Sequence, residues 1–141
     1  MSKLNGTSPQ HRSILLVEDD PVARTAAQGL LARWGYRVTV AASGREALNL
    51  LEKADFDAVV MDVAMSEVGG LEATERIRER EQREQSRRLP IVALTGSVMQ
   101  RDQQKCLAAG MDAYVAKPVS PALRRVLEGL LAQSFSSSMG G

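Results

Sequence analysis

Ala58–Val59–Val60–Met61–Asp62 constrains the fold more than any other stretch. Four apolar residues run without a break and end in a carboxylate. Such a short run, bounded by polar residues, reads as a strand covered on both faces. A strand of that kind can place a charge only at its end, so Asp62 is expected at the C-terminal tip of a central strand. In open α/β sheets that edge is where ligands bind. Asp62 could equally end the strand as a plain turn residue, and the other strand ends decide between the two.

Ser13–Val17 is a second continuous apolar run, followed by Glu18–Asp19–Asp20 and Pro21. Proline suits the first position of a helix, with Asp20 as its cap. Val22, Ala26, Leu30 and Trp34 recur four apart and predict the apolar face of that helix, which Gly35 closes. Arg37–Ala41 is the second strand. Ser43–Gly44 opens a second helix packed through Ala47, Leu48 and Leu51.

After Asp62 a loop over Val63–Gly69 leads into a long helix, Leu71–Ser86. Its far half, Glu79–Arg88, mixes Arg and Glu closely, and Glu72/Arg76, Glu79/Arg83 and Glu84/Arg88 are favourable pairs at four-residue spacing along the stretch. Both signs are present, so this is a solvated helix end and not a nucleic-acid patch. Ile91–Thr95 is the fourth strand, Met99–Ala109 a weakly apolar helix and Asp112–Ala116 the fifth strand, followed by Lys117–Pro118. Ser120–Pro121 starts the last helix, whose stripe is Leu123, Val126, Leu127, Leu130 and Leu131. Residues 1–12, which include a lone His11, read as a disordered lead-in, 13–133 as the domain, and the Ser/Gly-rich 134–141 as a disordered tail.

Five strands alternating with five helices imply a parallel sheet with right-handed crossovers and helices on both faces. The expected fold is α/β, a flavodoxin-like (βα)5 three-layer sandwich with strand order 2-1-3-4-5. At 141 residues the chain suits one domain with a real core. A net charge of +1 gives no electrostatic reason to expect nucleic acid or an anionic membrane as partner. No apolar run is long enough to span a bilayer. The single Cys106 can form no internal disulfide and fits a reducing, cytoplasmic setting.

The strand ends converge on one edge of this sheet. They supply Glu18, Asp19 and Asp20 from the first, Asp62 from the third, Thr95 from the fourth and Lys117 from the fifth. Carboxylates crowded in one cleft repel. A divalent cation relieves that repulsion, and hard oxygen donors suit Mg²⁺. Lys117 is a point charge able to hold a carboxylate and a phosphoryl oxygen together. A carboxylate nucleophile, a metal, a cation and a hydroxyl make a phosphoryl-transfer site.

L-L-V-E-D-D-P, V-V-M-D, the L-E-A-T helix start, A-L-T-G and G-M-D-A-Y-V-A-K-P resemble the receiver domains of two-component response regulators from about Ser13 to Leu131. The charged third helix and the L-E-A-T and A-L-T-G stretches are most similar to receivers of hybrid sensor histidine kinases. The resemblance implies a signalling module that catalyses only its own phosphorylation and dephosphorylation. Asp62 matches the phospho-acceptor, Glu18 and Asp19 the metal-binding acids for Mg²⁺ or Mn²⁺, and the backbone carbonyl of Ala64 a further metal ligand. Thr95 matches the switch hydroxyl, Tyr114 the switch aromatic and Lys117 the family lysine, with a cis Lys117–Pro118 bond. It further implies a histidine kinase or histidine phosphotransfer protein as partner, and a response on the helix 4/strand 5/helix 5 face that could include dimerisation. The loop departs from the family's M-P-x-M-D-G: Ser66, Val68 and Gly69 replace Pro, Met and Asp.

Gly96, immediately after Thr95, carries no side chain to narrow the approach to Asp62; a left-handed turn is the competing explanation for it. Among other functions, a Mg²⁺-dependent aspartyl-phosphate phosphatase of similar fold usually needs a second Asp two residues beyond the nucleophile. Ala64 stands there. A nucleotide-binding module needs a Gly-rich loop where this chain has Glu18–Asp19–Asp20–Pro21.

Overall fold

A computed structural model describes residues 12–64, 68–96 and 99–140, with side chains as far as residue 133. The elements alternate without exception: β1 Ser13–Val17, α1 Pro21–Arg33, β2 Arg37–Ala41, α2 Gly44–Lys53, β3 Ala58–Asp62, α3 Gly70–Glu84, β4 Ile91–Thr95, α4 Gln100–Ala109, β5 Ala113–Ala116 and α5 Pro121–Gly140. All strand pairs are parallel, and the sheet order is β2-β1-β3-β4-β5, as expected.

The unbroken apolar strands are central and their side chains divide by alternation. Ile14, Leu16, Ala58, Val60, Val92 and Leu94 face a core completed by Ala27 and Leu31 of α1 and Leu123, Leu127 and Leu131 of α5. Leu15, Val59, Met61, Ile91 and Ala93 face a second core with Ala47 of α2, Ala73 and Ile77 of α3 and Cys106 of α4. The sheet therefore separates α1 and α5 from α2, α3 and α4.

Local signals start the helices. Asp20 accepts the Ala23 amide at 3.1 Å with Pro21 at the first helical position. Ser43 accepts the Glu46 amide at 3.1 Å, while the Glu46 carboxylate reaches back to the Ala42 amide at 2.7 Å.

Two expectations need correction. The face of α1 is not the row Val22, Ala26, Leu30, Trp34: Val22 is 77% exposed, and Ala27 and Leu31 are the buried residues. A four-residue step overshoots one turn of 3.6 residues, so over three such steps the row winds off the buried side. Of the α3 ion pairs, Arg76–Glu72 forms at 2.6 Å, but Glu84 pairs with Arg80 and Arg88 with Asp112. Arg88 lies beyond the end of α3, so helical spacing no longer governs it. The last helix, α5, spans Pro121–Gly140. Residues 1–11, 65–67, 97–98 and 141 lie outside the described residues.

Candidate functional site

The C-terminal ends of β1, β3, β4 and β5 meet at one edge. Register sets the depths. Asp62 lies opposite Leu94 on β4, so Thr95 is one residue further out. Thr95 lies opposite Ala116, and the Lys117 amide donates to the Thr95 carbonyl at 2.9 Å. Beyond β1, the Glu18 amide donates to the Ala41 carbonyl at 3.0 Å, extending the ladder by one residue. By alternation Asp62 follows Ala58 and Val60 toward the α1/α5 face, and Glu18 and Lys117 share it. Thr95 follows Ile91 and Ala93 toward the opposite face.

The ammonium of Lys117 lies 2.9 Å from Asp62 Oδ1 and 3.4 Å from Glu18 Oε1. Both carboxylates are almost fully buried, and Lys117 is partly open to solvent. The Ala64 amide donates to Asp62 Oδ1 at 3.1 Å, which turns the chain back over the carboxylate, and the Asp20 amide donates to Glu18 Oε2 at 3.2 Å. The Arg24 guanidinium of α1 donates to the Glu18 carbonyl at 3.0 Å.

Burial, and then the neighbouring Asp62 carboxyl, push the Glu18 carboxyl above its ordinary range. Burial opposes the charge on Lys117, yet Asp62 and Glu18 outweigh it and raise the ammonium above its usual value. This cluster gains by holding one more cation than Lys117 supplies. Glu18, Asp19 and Asp62 each offer a carboxylate oxygen, all within 4.8 Å of one another. Three hard oxygen donors, one of them on a buried carboxyl that resists ionisation, suit Mg²⁺, which keeps waters and takes few protein ligands.

Each predicted site residue therefore belongs to this edge or borders it. Ala64 is beside Asp62, and Gly96 directly follows Thr95. Tyr114 lies opposite Ala93, two pairs short of Thr95 and on the same face, 36% exposed. Lys117–Pro118 is cis.

Sequence reasoning missed two features. Val68 has φ 40°, a left-handed conformation that a β-branched residue adopts only under strain. Its carbonyl and side chain fill the space a side chain at Gly44 would need, locking the β3–α3 loop against the start of α2. The second is Arg78. Its guanidinium reaches the carbonyls of Gly110 and Leu89 and the carboxylates of Glu81 and Asp112, all at 2.8–2.9 Å. The available signal was position: Arg78 is four residues after the buried Thr74 and adjoins Ile77, at the margin of the apolar stripe.

This topology, with its acids and its lysine gathered at one edge, defines the receiver class of two-component signalling proteins. The chain belongs to the response regulator receiver domain family, whose family model matches residues 14–127. It is 38% identical over 125 residues to Histidine kinase 3 of Arabidopsis thaliana, covering 76% of this chain and 12% of that protein. It is 33% identical over 126 residues to hybrid signal transduction histidine kinase I of Dictyostelium discoideum, covering 86% of this chain and 7% of that one. Among solved structures it resembles the receiver domain of sensor histidine kinase PA1611 of Pseudomonas aeruginosa PAO1, determined with a magnesium ion coordinated in the active site cleft. That match has 41% identity, TM-score 0.76, and covers 86% of this chain and 98% of the other. The chain spans 7–15% of the length of the curated relatives it matches. No helix among the described residues is long and apolar enough to cross a membrane.

Proposed function

We propose that this receiver accepts a phosphoryl group on Asp62 from the phosphohistidine of a histidine kinase or histidine phosphotransfer protein. A carboxylate oxygen of Asp62 forms the new P–O bond as the P–N bond breaks, and the bonding pair leaves with the imidazole nitrogen. The single observation that carries this is the contact of Lys117 with Asp62 at 2.9 Å inside an acidic cluster. Glu18, Asp19 and Asp62, with the Ala64 carbonyl, would hold Mg²⁺ or Mn²⁺, which supplies charge neutralisation at the transferring oxygens. Lys117 holds its proton throughout and stands ready to move from carboxylate to phosphoryl oxygen. Thr95 and Tyr114, on the same side of adjacent strands, carry the response to the α4/β5/α5 face, where dimerisation could follow.

The protein acts as a cytoplasmic signalling module and turns over no separate substrate. A phosphatase reading lacks its general acid, because Ala64 occupies that place. The test is treatment with a small phosphodonor and Mg²⁺ followed by intact mass. Addition of one phosphoryl group, absent in Asp62→Asn and in excess chelator, is expected. An adduct that survives in Asp62→Asn refutes the assignment.

A further inference from the structure

We infer that Arg24 is a positioning residue for the metal ion: from the first turns of α1 it fixes the Glu18–Asp19 peptide and so aims both acids into the site. The inference rests on the proposed function, since it takes Glu18, Asp19 and Asp62 as the holders of Mg²⁺.

Ala27 and Leu31 are the buried residues of α1, and Arg24 stands three positions before Ala27, on the same side of the helix. That side packs on the core toward which Asp62, Glu18 and Lys117 project. The half-buried Arg24 thus begins the row that Ala27 and Leu31 continue, at the end nearest the acids. Its Nη1 donates to the Glu18 carbonyl at 3.0 Å. Its amide donates to the Asp20 carbonyl at 2.8 Å, so backbone and side chain of one residue hold the same turn.

The Glu18 carbonyl belongs to the peptide that joins Glu18 to Asp19. A peptide group is rigid and planar. A bond to that oxygen therefore sets the plane from which two of the three clustered acids leave. The rest of Glu18 is held as well. Its amide donates to Ala41, Oε2 accepts from the Asp20 amide, and Oε1 lies 3.4 Å from the Lys117 ammonium. Lys117 is the partner that turns to the phosphoryl group, whereas Arg24 stays and keeps the turn in shape.

Arg24 is also a cation close to a site for a cation, and this gives the inference a sign. As a charge alone it repels Mg²⁺, and its removal would tighten binding. As a positioning residue it does the reverse: without it the acids turn away and binding weakens. Groups that orient metal ligands are worth about tenfold or more in affinity.

Calorimetric Mg²⁺ titration of the full chain at fixed pH decides between the two signs. Arg24→Ala should raise the Kd by about tenfold. Arg24→Lys, which keeps the charge and a donor, should stay nearer to wild type. Arg24→Gln, shorter and uncharged, carries the same expectation as alanine should alanine fail to fold. Arg33→Ala removes an equal charge from the exposed far end of α1 and should leave the Kd unchanged. In the metal-free protein the Asp20 amide should exchange with water faster in Arg24→Ala, because its acceptor on Glu18 is no longer held. At saturating Mg²⁺ the rate of phosphorylation by a small phosphodonor should recover to the wild-type value. A Kd for Arg24→Ala equal to or tighter than that of wild type overturns the inference. So does a rate deficit that persists at saturating Mg²⁺, which would assign Arg24 to the phosphoryl group instead. A wild-type chain that binds no Mg²⁺ overturns the metal reading itself and this inference with it.

Discussion

Gly96 offers a sharp test of how a phosphoryl group reaches Asp62. The residue directly follows β4, and the Lys117 amide is bonded to the carbonyl just before it. A Cβ built at Gly96 meets nothing within 4 Å, and Gly96 is not among the residues with positive φ. Neither space nor a left-handed backbone therefore demands glycine, which removes the competing explanation for its presence. Gly96→Ala should stabilise the fold by about 0.4–1 kcal/mol, through the smaller entropy of the unfolded chain. For a domain of this size that is a rise in Tm of about 1–4 °C. Gly96→Val adds a branched side chain at the rim of the approach to Asp62 and should slow phosphorylation at least about tenfold, equivalent to about 1.4 kcal/mol of barrier. Intact-mass time courses with a small phosphodonor and Mg²⁺, beside thermal melts, read both quantities. Phosphorylation of Gly96→Val at the wild-type rate would refute the access argument. A lowered Tm in Gly96→Ala would refute the conformational one.

At Gly110, by contrast, alanine should be costly. The left-handed conformation costs about 1–2 kcal/mol for a residue with a Cβ, and that Cβ would sit 2.7 Å from Arg78 Cγ, so a denaturant midpoint unchanged from wild type would contradict the geometry. The raised Glu18 carboxyl makes a prediction in pH. Because its pKa is higher folded than unfolded, the ionised group costs stability, and the metal-free protein should gain stability from Glu18 as pH falls through the native value toward 4.5. Glu18→Gln should abolish that component, seen as the difference between the two proteins' Tm profiles; parallel profiles would show no shift. Mg²⁺ affinity, measured by titration calorimetry, should weaken over the same window, since protons compete for the same oxygens.

Much of this architecture is legible in the amino-acid sequence alone. Strands buried on both faces leave continuous apolar runs, so the spans of β1, β3 and β4 agree at both ends with those runs; the alternating β2 agrees as well, and β5 begins one residue later, at Ala113. The placement of the candidate site residues is equally legible, because in a parallel sheet the C-terminal ends of the strands lie at one edge. Three things are not. The buried side of α1 depends on drift around the helix, which a four-residue row conceals until Ala27 and Leu31 are seen buried. The Arg78 clamp joins residues 11, 32 and 34 positions away, and no local pattern announces it. The left-handed Val68 has no signature in composition, since valine is among the residues least expected there.

The division of the interior into two cores has a consequence for how such a domain can vary. Asp62, Glu18 and Lys117 project to the side packed by α1 and α5, while Thr95 and Tyr114 project to the side packed by α4. Between the two lies the backbone of the sheet, with no shared side-chain layer. Away from the strand ends, substitutions in one core that share no partner with the other should add to those on the other side with little coupling. A lineage could thus rework the surface through which it addresses a new partner while inheriting the phosphorylation chemistry untouched. The strand ends at the sheet edge are the exception, since residues of both sides meet there, and a change at that edge is inherited by both sides at once.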